Sequence, residues 1–210
     1  MTGGARDAWQ KLYSRHGMQY GGTGDISMLS GLLGRDMLVL DAGCGDGKTT
    51  QILSEICDVI GCDFSREALI SLRSQRDPGR GVELVECELT HLPFESEKFD
   101  AVSCVHSISH LSKDERGAAA AEMSRVLKQE GHLFVEVFST RDLRFGEGQE
   151  VEPSSFMRGN GIATHYFGDK EIPDLFMALR TVSTARPARH VTYGTVAGHR
   201  EMLRVLMQKP

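Results

Sequence analysis

Met37-Leu-Val-Leu-Asp41-Ala-Gly-Cys-Gly-Asp-Gly47, running on into Lys48-Thr-Thr-Gln-Ile-Leu53, decides the fold of this 210-residue chain. Met37 to Leu40 is a continuous apolar run, too short for a helix and suited to a strand buried on both faces. The glycines that follow serve two needs. A turn from strand into helix demands φ/ψ angles that other residues resist, and a ligand can approach a backbone that carries no Cβ. The helix after the turn offers free N–H groups and the positive end of its dipole to an anionic group. Gly43-x-Gly45-x-Gly47 is therefore read as a ligand loop.

The elements on either side fit one architecture. Upstream, Ala5, Ala8, Trp9, Leu12, Tyr13 and His16 share one helical face, so residues 5–16 read as an amphipathic helix, and the glycine-rich stretch 17–24 as a loop. Asp25 caps a short helix that stops at Gly34, with Ile26, Leu29 and Leu33 inward. Downstream, Lys48 to Ile56 is a helix, and Asp58-Val-Ile-Gly-Cys62 is a second strand closing at Asp63. Ser65 caps the next helix, with Ala68, Leu69 and Leu72 facing the core. Val82–Cys87 and Phe99–Val105 are the third and fourth strands. Ser112-Lys-Asp-Glu115 is a capping box for a helix whose apolar face is Ala119, Met123, Val126 and Leu127, and Leu133–Phe138 is the fifth strand.

Alternating strands and helices joined by short turns predict an α/β fold, doubly wound, its mostly parallel sheet covered on both faces. Asp169 opens a further helix with Pro173 in its first turn, and Val182–Val191 and Met202–Met207 supply an antiparallel C-terminal hairpin, giving seven strands. Pro187 belongs at a bend or edge. Right-handed crossovers place the C-terminal ends of the parallel strands on one rim, where ligands bind beside the first strand.

Three ligands compete for the loop. A dinucleotide loop has the form G-x-G-x-x-G, but the third glycine here falls one position early, at Gly47. Ala42-x-x-x-x-Gly47-Lys48-Thr49 matches a relaxed phosphate-loop pattern, which also needs a magnesium-binding carboxylate ending a later strand. Ala101-Val-Ser-Cys-Val105 ends in Val-His instead.

The third reading takes in more of the chain. Leu38-Val-Leu-Asp-Ala-Gly-Cys-Gly-Asp-Gly47 resembles the first motif of the class I S-adenosylmethionine-dependent methyltransferases, an apolar run followed by Asp/Glu-x-Gly-x-Gly-x-Gly. The resemblance extends over residues 37–138. Asp63 matches the acid that holds the ribose hydroxyls. Glu88-Leu-Thr-His-Leu-Pro-Phe94 with Phe99-Asp100 matches the stretch that reads adenine, with Glu88 in place of the usual Asp. Glu122-Met-Ser-Arg-Val-Leu-Lys128 matches the run before strand five, its usual Pro-Gly-Gly ending replaced by Gln129-Glu130-Gly131. The resemblance implies a Rossmann-like methyltransferase with S-adenosyl-L-methionine as cofactor. Its contacts would be Asp41, Gly43, Cys44, Gly45, Asp63, Phe64, Glu88, Leu89 and Val105.

Residues 1–210 are expected as one domain: an N-terminal helical cover (1–36), a cofactor-binding core (37–138), a substrate-side insertion (139–168), and a C-terminal helix and hairpin (169–210). In the cover, Trp9, Tyr13, His16 and Tyr20 are candidates to close over the donor. The insertion lacks clear periodicity, and its Phe156, Met157, Tyr166 and Phe167 suggest a packed lid. Methyl transfer from a sulfonium requires alignment above all, and an amine or hydroxyl acceptor must also lose a proton. His106, just past strand four, and His165 and Tyr166 in the insertion are the catalytic candidates, with chemistry suited to that task.

Bulk properties bound the partners. The formal net charge of −5 and pI of 5.9 point away from nucleic acid, with a local exception at Arg180, Arg186, Arg189, Arg200, Arg204 and Lys209. A small-molecule acceptor is expected. Five cysteines form no paired motif, so a reducing compartment and a cytoplasmic location are expected, with no signal peptide and no membrane span. Cys104-x-His106-x-x-x-His110 lacks the partners that a zinc site needs, and no metal is expected. Two other functions remain open: a nonenzymatic S-adenosylmethionine-binding regulator, and a nucleotide-binding enzyme of the phosphate-loop kind.

Overall fold

A computed structural model describes residues 3–16, 25–75, 81–193 and 196–210. The 17–24 loop expectation, Tyr20 and the side chain of His16 lie outside the described residues. The first helix, α1, covers Gly3–His16, and α2 is a single turn, Ser27–Ser30, whose entry is fixed by the Ser27 N–H donating to Asp25 Oδ1 (3.0 Å). The core then alternates: β1 (Leu38–Ala42), α3 (Lys48–Leu53), β2 (Asp58–Asp63), α4 (Arg66–Gln75), β3 (Val82–Glu86) and β4 (Phe99–Val105). A 3₁₀ turn (Ser107–His110), α5 (Lys113–Val126) and β5 (Leu127–Phe138) follow. The capping box at Ser112 and Glu115 is present at the start of α5.

The principal sheet has eight strands. After the core come α6 (Glu171–Leu175), β9 (Arg180–Ala185), β10 (Ala188–Tyr193) and β11 (Val196–Gln208). The sheet order is β10-β11-β5-β4-β1-β2-β3, with β9 also on β11. β1 to β5 are mutually parallel, whereas β11 is antiparallel to β5, β9 and β10. The eighth strand arises where the sequence predicts one strand across Val182–Val191. Proline has no N–H for a ladder, and the chain breaks at Arg186-Pro187. β9 pairs with the far half of β11 and β10 with its near half.

Both faces of the sheet are covered, as the apolar run of β1 requires. Leu40 and Ala42 point into a core completed by Ala119 and Met123 of α5 and Ile172 of α6; Val39 points the other way, among Leu29 and Leu53. The chain leaves β1 for β2 and β3 on one side and reaches β4 and β5 on the other, so β1 marks the switch point.

The insertion is ordered by its own sheet. β6 (Gln149–Glu152), β7 (Ser155–Met157) and β8 (Ala163–His165) form an antiparallel trio, too short and too mixed in sequence to be read from periodicity. Phe156, Tyr166 and Phe167 are buried, and Tyr166 touches the rings of Phe138, Phe145 and Phe156. Buried Arg116 of α5 holds this layer down through Glu152 (3.0 Å). The packed lid that the aromatics suggested is thus a small sheet.

Gly47 locks the loop to α4. It has φ of 95°, and a Cβ there would lie 2.1 Å from Leu72 Cδ1. Gly47→Ala combines left-handed backbone strain with overpacking and is expected to destabilise the protein by about 2 to 4 kcal/mol. Urea denaturation checks this; an unchanged midpoint would contradict the packing of α4 described above.

Candidate active site

The C-terminal ends of β1, β2 and β4 open into a cavity of about 550 Å³, in the range that holds a whole small ligand. Its wall includes Asp41, Gly43, Cys44, Gly45, Asp63, Phe64, Glu88, Leu89 and Val105, so all nine expected donor contacts converge there, together with His106.

The loop is shaped from below by β2. The N–H groups of Gly43 and Cys44 both donate to Cys62 O (2.8 and 2.9 Å). Gly43 has φ of 76°, and a Cβ would lie 2.1 Å from Ser107 Oγ, which donates to Gly43 O (2.8 Å). Asp63 then ties two segments: one carboxylate oxygen accepts the Gly45 N–H and the other the Ser65 N–H, each at 2.9 Å. Burial pushes the Asp63 pKa up to about 6 despite those N–H donors. Asp41 is more deeply enclosed. Burial raises its pKa to about 7, against the Thr50 hydroxyl donating to it at 2.6 Å and with the charge of Asp63 adding to the rise.

These acids decide what the loop can hold. The sequence suggested an anionic group at the helix start, but Asp41, Asp46 and Asp63 all line this end of the cavity. Phosphates would be repelled there, whereas a cationic ligand relieves the buried carboxylates. The sulfonium and ammonium charges of S-adenosylmethionine fit this setting, and a ribose could share the rim with Asp63. Cys44 is buried with its thiol pKa pushed up, which suits a packing role in the loop. Phe64 lies half-buried under the Arg6 guanidinium of α1, 5.7 Å from its ring centre. Arg6 also donates to Glu88 (3.0 Å), so the longer acid reaches α1. Trp9 and Tyr13 of α1 line the same cavity.

His106 follows β4 with φ of 63°, and its ring stacks on Phe138 (4.5 Å between centres, 6° between planes). Its Nε2 lies 3.2 Å from Glu136 Oε1, while Nδ1 has no partner. Burial pushes the Glu136 carboxyl up, but His106 and Arg204 outweigh it and hold the carboxyl below its ordinary value. Arg204 donates to Glu136 and, at 2.6 Å, to Asp25. Sequence reasoning passed over Glu136. Its signal was an acid inside the apolar run Leu133-Phe-Val-Glu-Val-Phe138.

The other two catalytic candidates do not reach the cavity wall. His165 is buried between Ser155 Oγ (2.8 Å) and Glu171 Oε1 (2.6 Å), where both ring nitrogens serve the insertion. Tyr166 is buried, and its hydroxyl accepts from Arg158 Nη2 (2.7 Å). Alternation along this short strand turns His165 away from the cavity, and neighbouring Thr164 lines it instead; Tyr166, past the end of β8, packs against Phe138, Phe145 and Phe156. His110 pairs with Ala163 O (2.9 Å), linking the 3₁₀ turn to β8, and burial pushes its pKa down to about 4.

Comparison with known proteins agrees with this geometry. Residues 40–135 match the family model for a methyltransferase domain. The chain is 36% identical over 117 residues to a probable tRNA methyltransferase 9B of Mus musculus, covering 54% of this chain and 25% of that protein. It is 29% identical over 153 residues to a tRNA N(3)-cytidine methyltransferase of the same species, covering 67% of this chain and 39% of that one. The chain thus spans less than half the length of these curated relatives. Among solved structures, a SAM-dependent methyltransferase of Methanosarcina mazei superposes with a TM-score of 0.74 at 22% identity, covering 87% of this chain and 96% of that one.

These relatives are tRNA methyltransferases, which overturns the expectation that nucleic acid is an unlikely partner and leaves the small-molecule acceptor without support. Net charge misled because it averages over the molecule, while Arg144, Arg158, Arg189 and Arg200 gather on one cavity wall.

The buried acids make donor binding depend on pH. A cationic donor favours ionised Asp41 and Asp63, so their raised pKa values mean that affinity falls as pH drops through 7 to 6. For one coupled proton, S-adenosylmethionine should bind roughly tenfold more weakly at about pH 6 than at about pH 7.5. Asp41→Asn should flatten that change. Calorimetric titration across this range checks it, and a flat wild-type profile would exclude the coupling.

Proposed function

On the premise that residues 40–135 are a methyltransferase domain of the class I fold, we propose that this protein binds S-adenosylmethionine at the Asp41–Gly47 loop and methylates a transfer RNA. The observation that carries the reading is the cavity itself, with buried acids at the glycine loop and arginines on the opposite wall.

When bound, the donor supplies a methyl group already activated by the sulfonium charge. The protein's share is alignment, charge compensation and exclusion of water. Asp41 answers the positive charge from beneath the loop, and Asp63 stands ready to accept from hydroxyl donors. Leu89 and Phe64 offer apolar surface to a flat ring. His106 directly follows β4, at the cavity between the two walls. With Nε2–H donated to Glu136, the imidazole keeps its lone pair on Nδ1, a buried nitrogen without a partner, which would receive the acceptor's proton once the acceptor displaces the groups that cover it. The resulting imidazolium is stabilised by the Glu136 carboxylate.

Incubation with methyl-labelled S-adenosylmethionine and unmodified transfer RNA tests the reading through label in acid-precipitable RNA. Label only in small metabolites would exclude the RNA acceptor. His106→Ala should lower turnover about a hundredfold with donor affinity nearly unchanged. Full activity of that variant would remove His106 from the chemistry.

A further inference from the structure

The cavity's acids and arginines are sorted by sheet order, with Lys48 at the start of α3 a cation on the acids' side. The four acids, Asp41, Asp46, Asp63 and Glu88, stand at or beyond the ends of β1, β2 and β3. The four arginines come from the other half: Arg144 and Arg158 from the insertion, Arg189 from β10 and Arg200 from β11. Since β4 separates the β1–β3 side from β5, β11 and β10, these are two walls.

Two of these arginines, Arg158 and Arg189, are not matched by a carboxylate among the described residues. Arg189 and Arg200 stand directly opposite each other across β10 and β11, a like-charge pair that disfavours the hairpin unless something offsets it. Arg200 is balanced by buried Asp142 (2.7 Å). Arg189 is exposed and has no ion pair or hydrogen bond among the described residues. Arg158 uses Nη2 on Tyr166, but its Nε is buried without a partner. Among the described residues no carboxylate lines this wall: Asp142 is fully enclosed behind Arg200, and Glu136 is engaged by His106 and Arg204.

We propose that Arg158 and Arg189 form a phosphate subsite that seats the acceptor, gripping a phosphate next to the nucleotide presented to His106. The inference rests on the nucleic-acid reading above and deepens it. Guanidinium groups suit a phosphate oxygen pair, and contacts of this kind position a nucleic acid without reading its sequence. The subsite lies apart from the donor contacts, so it acts on acceptor binding alone.

The test uses the full chain with three probes: S-adenosylhomocysteine, a single-stranded RNA of about eight nucleotides, and cytidine 5′-monophosphate beside free cytidine. Arg189→Glu should weaken RNA and monophosphate binding at least about tenfold, and Arg158→Gln should weaken both in the same direction. The salt slope for RNA should fall by about 0.7 for each phosphate that is no longer neutralised. Affinity for S-adenosylhomocysteine should change less than about twofold, which also reports that the variants are folded. Equal loss of S-adenosylhomocysteine affinity in folded Arg189→Glu would overturn the proposal and assign the arginines to the donor's carboxylate. Unchanged RNA binding in both variants overturns the subsite and leaves the nucleic-acid reading standing. Arginine-dependent binding of the monophosphate without any binding of RNA supports the subsite and rejects nucleic acid as the acceptor.

Discussion

The carboxylate of Asp63 holds the working end of this molecule together. It is buried at the end of β2, and its two oxygens take N–H groups from the glycine loop and from the start of α4. The loop's curvature, the entry of α4 and the acidity of the donor wall therefore share one side chain. An acid placed there raises its own pKa through burial, so it stands ready for a ligand that restores favourable surroundings to its charged form. A loop built around buried carboxylates rejects phosphate and accepts a cation. That physical contrast separates the methyltransferase reading from the phosphate-loop reading, although the glycine pattern alone admits both.

Topology then divides the cavity. Strands on one side of β4 contribute acids, and the insertion and C-terminal hairpin on the other contribute arginines. His106 directly follows the dividing strand, braced on Phe138 and linked through Glu136 to Arg204 and Asp25. An imidazole held so firmly loses little entropy on alignment. Acids and arginines thus gather on opposite walls of one cavity while the molecule as a whole remains mildly acidic.

Most of the parallel core was legible because its signals are local. The apolar run before Asp41, the cap at Ser65 and the capping box at Ser112 each depend on a few neighbouring residues, and each stands where the pattern placed it. Two regions were less legible. The insertion builds a three-stranded sheet from segments of three or four residues, and so short a segment carries no usable period. Pro187 was recognised as a bend, but its break makes two strands that share β11. That sharing depends on the length of the partner strand.

The order of elements, the glycine loop and the residues that line the loop end of the cavity were legible in the sequence alone, because strand ends and tight turns bring near neighbours to one rim. The acceptor side belonged to tertiary structure. His165 and Tyr166 have the right chemistry but face into the insertion, whereas Thr164 between Ala163 and His165 faces the cavity. Glu136, Arg189 and Arg200 are distant in the chain and come together only when the sheet pairs β11 with β5 and β10, and Arg158 joins them from the insertion. Residue type is local, but orientation and convergence arise from long-range pairing, and a binding wall made by the last strands of a sheet exists only once that sheet has closed.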